Sequence, residues 1–399
     1  MSAPHAGPFA GIPLLEDLPP LAGRRVLVRV DFNVPLRRGE DGTPVAVTDD
    51  FRIRAALPTL HWLLERQASV TACTHLGRPK GTADPRYGLG PVRDRLAELV
   101  PGVELLDNLR FDPGEEGNDP AFVARLTEGF DGYVNDAFGA SHRAHASIVG
   151  PPATLPSAAG RLLEREVAAL GRLLTGPERP FVAVVGGAKV ADKLGVLRAL
   201  LEHVDRLVVG GGMAYTFLAA RGHATGASLL DPERIEECAK LLAEAGDRIV
   251  LPSDLVVMGP GGTIDPAGGA GEVAVVGVDV PDGWEGVDAG PASVAAFAEV
   301  VAGARTLFWN GPLGAFEDPR FAAGTRAVAE AVAACGGYTV VGGGDSAAAL
   351  DQMGLAGRVD FISTGGGASL ELIEHGDLPG LVALRGAPNA PGGDGGATP

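Results

Sequence analysis

Short apolar runs alternate with helical patterns along almost the whole chain, and this constrains the fold more than any other feature. The runs fall at 25–30, 69–74, 103–106, 131–135, 181–185, 206–209, 248–251, 305–309, 338–341 and 359–363. Several, such as Phe181-Val182-Ala183-Val184-Val185, are apolar at consecutive positions rather than alternate ones. That pattern predicts strands covered on both faces, as in a parallel sheet. Helical patterns lie between them at 92–100, 160–174, 188–203, 233–245, 292–303, 321–334 and 368–374. Repeated strand–helix units predict an α/β fold with helices on both sides of a doubly wound sheet.

The 399 residues exceed what one ordinary core holds, so two domains are expected. A boundary is expected near Leu174–Pro180, where a helical pattern gives way to turn residues and then to an apolar strand. Pro58 interrupts the helical pattern after Asp50 and predicts a kink or a new helix beginning there. Residues 259–271, rich in Gly and Pro, read as a surface loop, with a strand pattern resuming at Val273. Residues 1–13 read as a loose lead-in and 386–399 as a disordered tail.

Lys and Arg total 33 against 50 Asp and Glu, a net charge of −17. This balance argues against a nucleic-acid partner, and it would repel a small anion unless basic groups cluster locally. Cys73, Cys238 and Cys335 are far apart and suggest neither a disulfide framework nor a zinc site. No apolar run reaches membrane-spanning length, and the N-terminus lacks a signal-peptide pattern. A cytoplasmic protein with no membrane partner is the expectation.

Polar groups collect where the first four strands end. Asp31-Phe32-Asn33 follows the first, His75-Leu76-Gly77-Arg78 the second and Asn108-Leu109-Arg110 the third. Asn135-Asp136 closes the fourth, ahead of Ser141-His142-Arg143-Ala144-His145. Open α/β sheets bind ligands at such carboxyl ends. Convergence of Arg52, Arg78, Arg110 and Arg143 would suit an anion carrying phosphate and carboxylate groups. Singly, each Arg reads equally as a solvated surface charge and each His as a polar loop residue.

In the second half the strand 181–185 runs into Gly186-Gly187-Ala188-Lys189, with Lys193 four residues on, expected on one face near a helix start. Further glycine runs open helical patterns at Gly210–Gly212, Gly342–Gly344 and Gly365–Gly367. Glycines permit close backbone approach, and free amides at helix starts hold phosphate oxygens. Together with the lysines they point to a nucleotide, although GxxxxGK[ST] and GxGxxG are both absent. Asp345 reads as a Mg²⁺ ligand, a helix cap, or both. Glu317, after Trp309-Asn310-Gly311-Pro312, is placed to accept hydrogen bonds from ribose hydroxyls.

RVDFNVP at 29–35, HLGRP at 75–79, NLRF at 108–111, VNDAFGASHRAHAS at 134–147, GGAKVADK at 186–193, GGGMAYTFL at 210–218, WNGPLGAFE at 309–317, GGGDS at 342–346 and STGGGASLELI at 363–373 together resemble the phosphoglycerate kinase family, in its order, over about 14–384. The resemblance implies two Rossmann-like domains facing across a cleft. Residues 14–177 would bind 3-phosphoglycerate or 1,3-bisphosphoglycerate and 178–377 MgATP or MgADP, while 378–399 would return to the first domain before the tail. It implies a monomer.

By motif, Arg78, Arg110 and Arg143 would grip the 3-phosphate. Asp31, Asn33 and His75 would orient the glycerate end, with Phe32, Leu76 and Gly77 lining it. Arg52 and Lys189 would contact the phosphoryl group in flight. Lys193 would hold nucleotide phosphates, Glu317 the ribose and Asp345 the metal. Gly343, Gly344, Ser346, Gly365 and Gly366 would donate to phosphates. Gly187, Gly212, Asn310 and Pro312 would line the nucleotide, and Gly286 would lie near the adenine.

Departures from the family pattern are small: Asp107 before Asn108, Ser346 where Thr is common, the glycine-rich 259–271 loop and the long tail. In the ATP-consuming direction the attacking carboxylate is already ionised at pH 7, so neither a general base nor a phosphoenzyme is expected. Two rivals are an inactive nucleotide-binding protein on the same fold and an NAD-dependent dehydrogenase. The presence of Arg52, Lys189 and Asp345 weighs against the first, and the missing GxGxxG against the second.

Overall fold

A computed structural model describes residues 10–390. These form two compact units, residues 10–171 with 376–390 and residues 172–375. The outer parts of the expected lead-in (1–9) and tail (391–399) lie outside the described residues.

The first unit carries a five-stranded, all-parallel sheet in the order Val103–Leu105, Ser69–Cys73, Arg25–Val30, Gly132–Asp136, Ser157–Ala159. The first strand in sequence is central, and the chain winds outward on one side before crossing to the other. Its strand reads RVLVRV and is buried at five of six positions, as a central parallel strand must be. Helix Phe51–Glu65 turns Ile53, Ala56, Leu60 and Leu63 into the core beside that sheet. It runs through Pro58 without restarting, so a new helix at Pro58 does not form. The adjacent Thr59 is buried, and its Oγ1 accepts from Arg161 N at 2.8 Å.

Two expectations of looseness are corrected. Ile12 is buried and Pro13 O accepts from Ala159 N at 2.8 Å, so the lead-in is packed from there on. Residues 386–390 also pack: Ala387 and Ala390 are buried, and the Asn389 amide pairs with both backbone groups of Ser157. The short Ser157–Ala159 strand, all small residues, offers no apolar run to read and was not anticipated.

The second unit carries a six-stranded parallel sheet, Ile249–Val250, Arg206–Val209, Phe181–Val185, Thr306–Asn310, Tyr338–Gly342 and Phe361–Ile362. This is again a doubly wound order, with its reversal between Phe181–Val185 and Thr306–Asn310. A separate antiparallel sheet is formed by Val273–Val276, Leu255–Met258 and Glu285–Ala289.

Helix Leu194–His203 begins six residues later than its pattern predicts. Val190 N and Ala191 N donate to Asp231 Oδ2 at 2.9 and 3.2 Å, diverting amides that a helix start would leave free. Lys189 therefore lies in the loop ahead of the helix and Lys193 at the helix N-cap, so the expected pairing on one helix face is not realised.

Candidate active site

In the first unit the polar side chains sit at the carboxyl ends of the central strands. Asp31 directly follows Arg25–Val30 and is nearly buried. Its Oδ2 accepts from Arg52 Nη1 at 2.8 Å and its Oδ1 from Asn33 N at 3.2 Å. Burial alone would raise the Asp31 carboxyl, but the charges of Arg52 and neighbouring basic groups hold it below its ordinary range. Arg52 stands in the first turn of its helix, so strand end and helix start meet at this pair. Asn33 Oδ1 accepts from Gly77 N at 3.0 Å, and Gly77 O accepts from Arg110 Nη1 at 2.7 Å. One continuous chain of bonds thus links Arg52, Asp31, Asn33, Gly77 and Arg110.

Asn108 holds the other side. It accepts from Leu76 N and Arg110 N at 3.2 and 3.1 Å and donates to Leu76 O at 2.8 Å. Phe32 is fully buried, its amide bonded to Thr74 Oγ1 at 2.9 Å.

Beneath this surface lies Arg29, a fully buried cation whose importance the strand pattern concealed. Its Nε donates to Ser147 Oγ at 2.8 Å, its Nη1 to Val30 O at 2.5 Å, and its Nη2 approaches His75 Nδ1 at 3.1 Å. Ser147 in turn donates through Oγ and N to the buried Glu115 at 2.6 and 2.9 Å. Burial and then the charge of Arg29 push His75 well below its ordinary value. His75 is therefore neutral at pH 7. With Arg29 donating to Nδ1, its proton sits on Nε2.

Arg110 and Arg143 act on the same histidine, and together with Arg29 they act on His145. Burial and these three guanidinium groups push His145 down to about 4. Arg29, Arg110 and Arg143 thus act electrostatically on one strand-end site. Arg110 is itself buried, with its Nε at ion-pair distance, 3.1 Å, from Glu116 Oε1. Arg143 Nε donates to His142 Nε2 at 3.1 Å. Arg78 is exposed and makes no ion pair among the described residues. Cations gathered at one strand-end site favour a polyanion there.

In the second unit Lys193 spans the reversal point of the sheet. Its Nζ donates to Gly186 O at 2.6 Å and Asn310 Oδ1 at 2.9 Å, joining the ends of the two central strands. Burial lowers its ammonium to about 8, against the opposing pull of Asp345 and Asp192. Lys189 is exposed and has no ion pair among the described residues.

A cavity of about 250 Å³ opens beside them. Gly187, Gly212, Gly286, Pro312, Glu317 and Asp345 line it, while Lys189, Lys193, Asn310, Gly343, Gly344, Ser346, Gly365 and Gly366 do not. The glycines are needed there for room. A Cβ on Gly212 would lie 2.8 Å from Ala188 O, and one on Gly286 would overlap the Tyr215 hydroxyl. Sequence reasoning missed Tyr215, Leu229 and Ile264, which supply much of the apolar lining.

Asp345 is exposed in the first turn of helix Gly344–Gln352. The Ser346 hydroxyl is buried and accepts from Gly311 N at 2.7 Å. Gly366 packs so close to Gly343 that a Cβ would lie 2.7 Å from the Gly343 Cα, bringing two glycine turns together. The Gly365 amide is directed to Ser363 Oγ at 3.3 Å. Among the described residues no helix is long and apolar enough to cross a membrane.

The family model described as phosphoglycerate kinase matches residues 15–104 and 101–376. A phosphoglycerate kinase from Parafrankia sp. is 53% identical over 93% of this chain and 99% of its own length. One from Rubrobacter xylanophilus is 51% identical over 91% of this chain and 96% of its own. Among solved structures, phosphoglycerate kinase from Coxiella burnetii superposes with a TM-score of 0.82 at 37% identity, covering 94% of this chain and 98% of that one. The Pyrococcus horikoshii enzyme gives 0.80 at 29% identity, covering 94% and 99%. The matches support a carboxyl-acceptor phosphotransferase of glycolysis and leave the inactive-protein alternative without support. The chain belongs to the phosphoglycerate kinase family.

Proposed function

We propose that the strand-end site of the first unit binds 3-phosphoglycerate or 1,3-bisphosphoglycerate and the cavity of the second binds ATP or ADP, with the phosphoryl group passing directly between them. The observation that carries this reading is the bonded set Arg52–Asp31–Asn33–Gly77–Arg110 at the strand ends, with Arg29 against His75 beneath it, in an otherwise acidic chain. Arg78, Arg110 and Arg143 bind the 3-phosphate. Neutral His75 donates from Nε2 to the glycerate, and Asn33 and Asp31 orient it, with Phe32, Leu76 and Gly77 framing the pocket. Arg52, already fixed by Asp31, and Lys189, with no ion pair among the described residues, neutralise the phosphoryl group as it moves. The acceptor carboxylate is ionised at neutral pH, so no base has to be found.

On the nucleotide side Lys193 and the amides of Gly343, Gly344, Ser346 and Gly366 hold phosphates, joined by the Gly365 amide when it leaves Ser363 Oγ. Glu317 takes the ribose, and Gly187, Gly212, Gly286, Asn310 and Pro312 shape the pocket. Asp345 is an exposed hard oxygen donor at the edge of the cavity, which suits Mg²⁺ held by one carboxylate together with phosphate oxygens. Bound there, the ion would offset charge on the nucleotide phosphates. With the half-sites on separate units, transfer requires the units to close about the segment near 174–180. The protein acts as a cytoplasmic monomer, without nucleic-acid or membrane partners.

Arg143→Ala tests the substrate half. It is expected to raise KM for 3-phosphoglycerate at least about tenfold while kcat changes far less, because the lost contact serves ground state and transition state alike. Steady-state kinetics with the acid varied would show this, and an unchanged KM would remove Arg143 from the phosphate site.

The histidines provide a second test. His145 is depressed, so as pH falls from 6.5 toward about 4 the unfolded chain takes up a proton that the folded chain resists, and this group's contribution to stability is lost across that window. An anion bound at the strand-end site should raise the His145 midpoint. NMR titration with and without 3-phosphoglycerate should show that upward shift; a midpoint unmoved by saturating acid would place the anion elsewhere.

A further inference from the structure

The segment 259–271 is a surface loop as expected, but it is tied down on both sides. Thr263 N donates to Ala270 O at 2.9 Å and Ala270 N to Thr263 Oγ1 at 3.0 Å, folding the segment back on itself. A Cβ on Gly269 would overlap Thr263 O and lie 2.7 Å from Arg320 Nη2, so this approach requires glycine.

The tie comes from 50 residues away in sequence. Asp318 is fully buried. Its Oδ2 accepts from Asp265 N and Gly269 N, each at 3.1 Å, and from Arg320 Nη2 at 2.7 Å. Its Oδ1 accepts from Arg320 N and Nε, each at 3.0 Å. Arg320 Nη2 reaches on to Thr263 O at 2.7 Å. The Arg320 hydrogen bonds hold the Asp318 carboxyl well below its ordinary range, so the staple stays ionised at neutral pH.

Its position links it to the cavity. Asp265 is the chain neighbour of Ile264 and Asp318 that of Glu317, and both Ile264 and Glu317 line the cavity. Ile264 is 44% exposed and Leu229, also in the lining, 49%. Two large apolar side chains left this open on a cavity wall suit the apolar faces of a base.

We propose that Asp318 and Arg320 are positioning residues that staple the 263–270 loop, holding Ile264 as a wall for the nucleoside end of the nucleotide and thereby setting nucleotide affinity without acting on transfer itself. This rests on the nucleotide reading of the cavity given above. Freeing the loop lets Ile264 swing away, so the bound state must then bear the cost of ordering it.

The test uses the full chain carrying Asp318→Asn, Ile264→Ala, both together, or Ile264→Leu. Kinetics are measured with MgATP varied at saturating 3-phosphoglycerate, and with the reverse. Adenosine binding is measured by calorimetry. Each of Asp318→Asn and Ile264→Ala is expected to raise KM for MgATP about fivefold and to weaken adenosine to a similar extent. In both, kcat and KM for 3-phosphoglycerate should stay within about twofold. Because the staple acts through Ile264, the double variant should be no worse than the poorer single one, and Ile264→Leu should restore binding to within about twofold.

Multiplying effects in the double variant would overturn the proposal, as would an Ile264→Ala chain that binds MgATP and adenosine normally. So would parallel losses in kcat and both KM values. Ile264 is half-exposed, so its variants fold even if Asp318→Asn does not. A wild-type chain that binds neither MgATP nor adenosine would instead sink the nucleotide reading itself, and the proposal with it.

Discussion

Replacing Lys189 with alanine is expected to cut kcat about 10³-fold or more while leaving stability within about 0.5 kcal/mol of the parent. Lys189 is exposed and makes no ion pair among the described residues, so its removal breaks no packing. The contrast with Lys193 is instructive. That ammonium already joins Gly186 O to Asn310 Oδ1, and deleting it would loosen both central strand ends. On the reading proposed above, a cation with no ion pair among the described residues is left for the phosphoryl group, whose charge moves during transfer. Interactions made only in the transition state lower kcat and kcat/KM together, and that joint fall is the expected signature. Turnover close to the parent's would remove Lys189 from the reaction.

Arg29→Met is expected to destabilise the first unit by about 3–5 kcal/mol, the cost of leaving a buried charge unpaired. Glu115 is fully buried, and Arg29 reaches its carboxylate through Ser147. Removing the cation strands that charge and frees His75 Nδ1. Denaturant melts should show a lower midpoint, and substrate binding by the remaining folded fraction should weaken because the tautomer of His75 is no longer fixed. A variant as stable as the parent would mean that Glu115 has another counter-charge.

The parallel strands were legible because burial on both faces forces unbroken apolar runs, as in Phe181–Val185. The candidate site groups were legible too, since Asp31, His75 and the glycine turns come at or just after the ends of such runs, and Arg110 five residues after one. What escaped was set by partners distant in sequence. Arg29 interrupts an apolar strand, and its meaning depends on Ser147, 118 residues on. The late start of helix Leu194–His203 depends on Asp231, about 40 residues on. Local periodicity carries no record of either. The hairpin Leu36–Arg38 with Pro44–Val47 has no fully buried residue, so its pattern lacks a core face to read, whereas the strand expected to resume at Val273 does form, as Val273–Val276. Pro120 and Pro379 did mark helix starts, at Pro120–Thr127 and Pro379–Arg385, a signal of proline at the first helical position that was left unused.

The central claim is that a guanidinium-rich strand-end site and a glycine-walled cavity together move a phosphoryl group by neutralising charge, with no base and no covalent intermediate. Steady-state turnover of the purified chain with 3-phosphoglycerate and MgATP, coupled to reduction of the acyl phosphate formed, tests it most directly. The account predicts saturation in both substrates and a kcat of roughly 1–10³ s⁻¹. A chain that binds both substrates yet produces no acyl phosphate would contradict it.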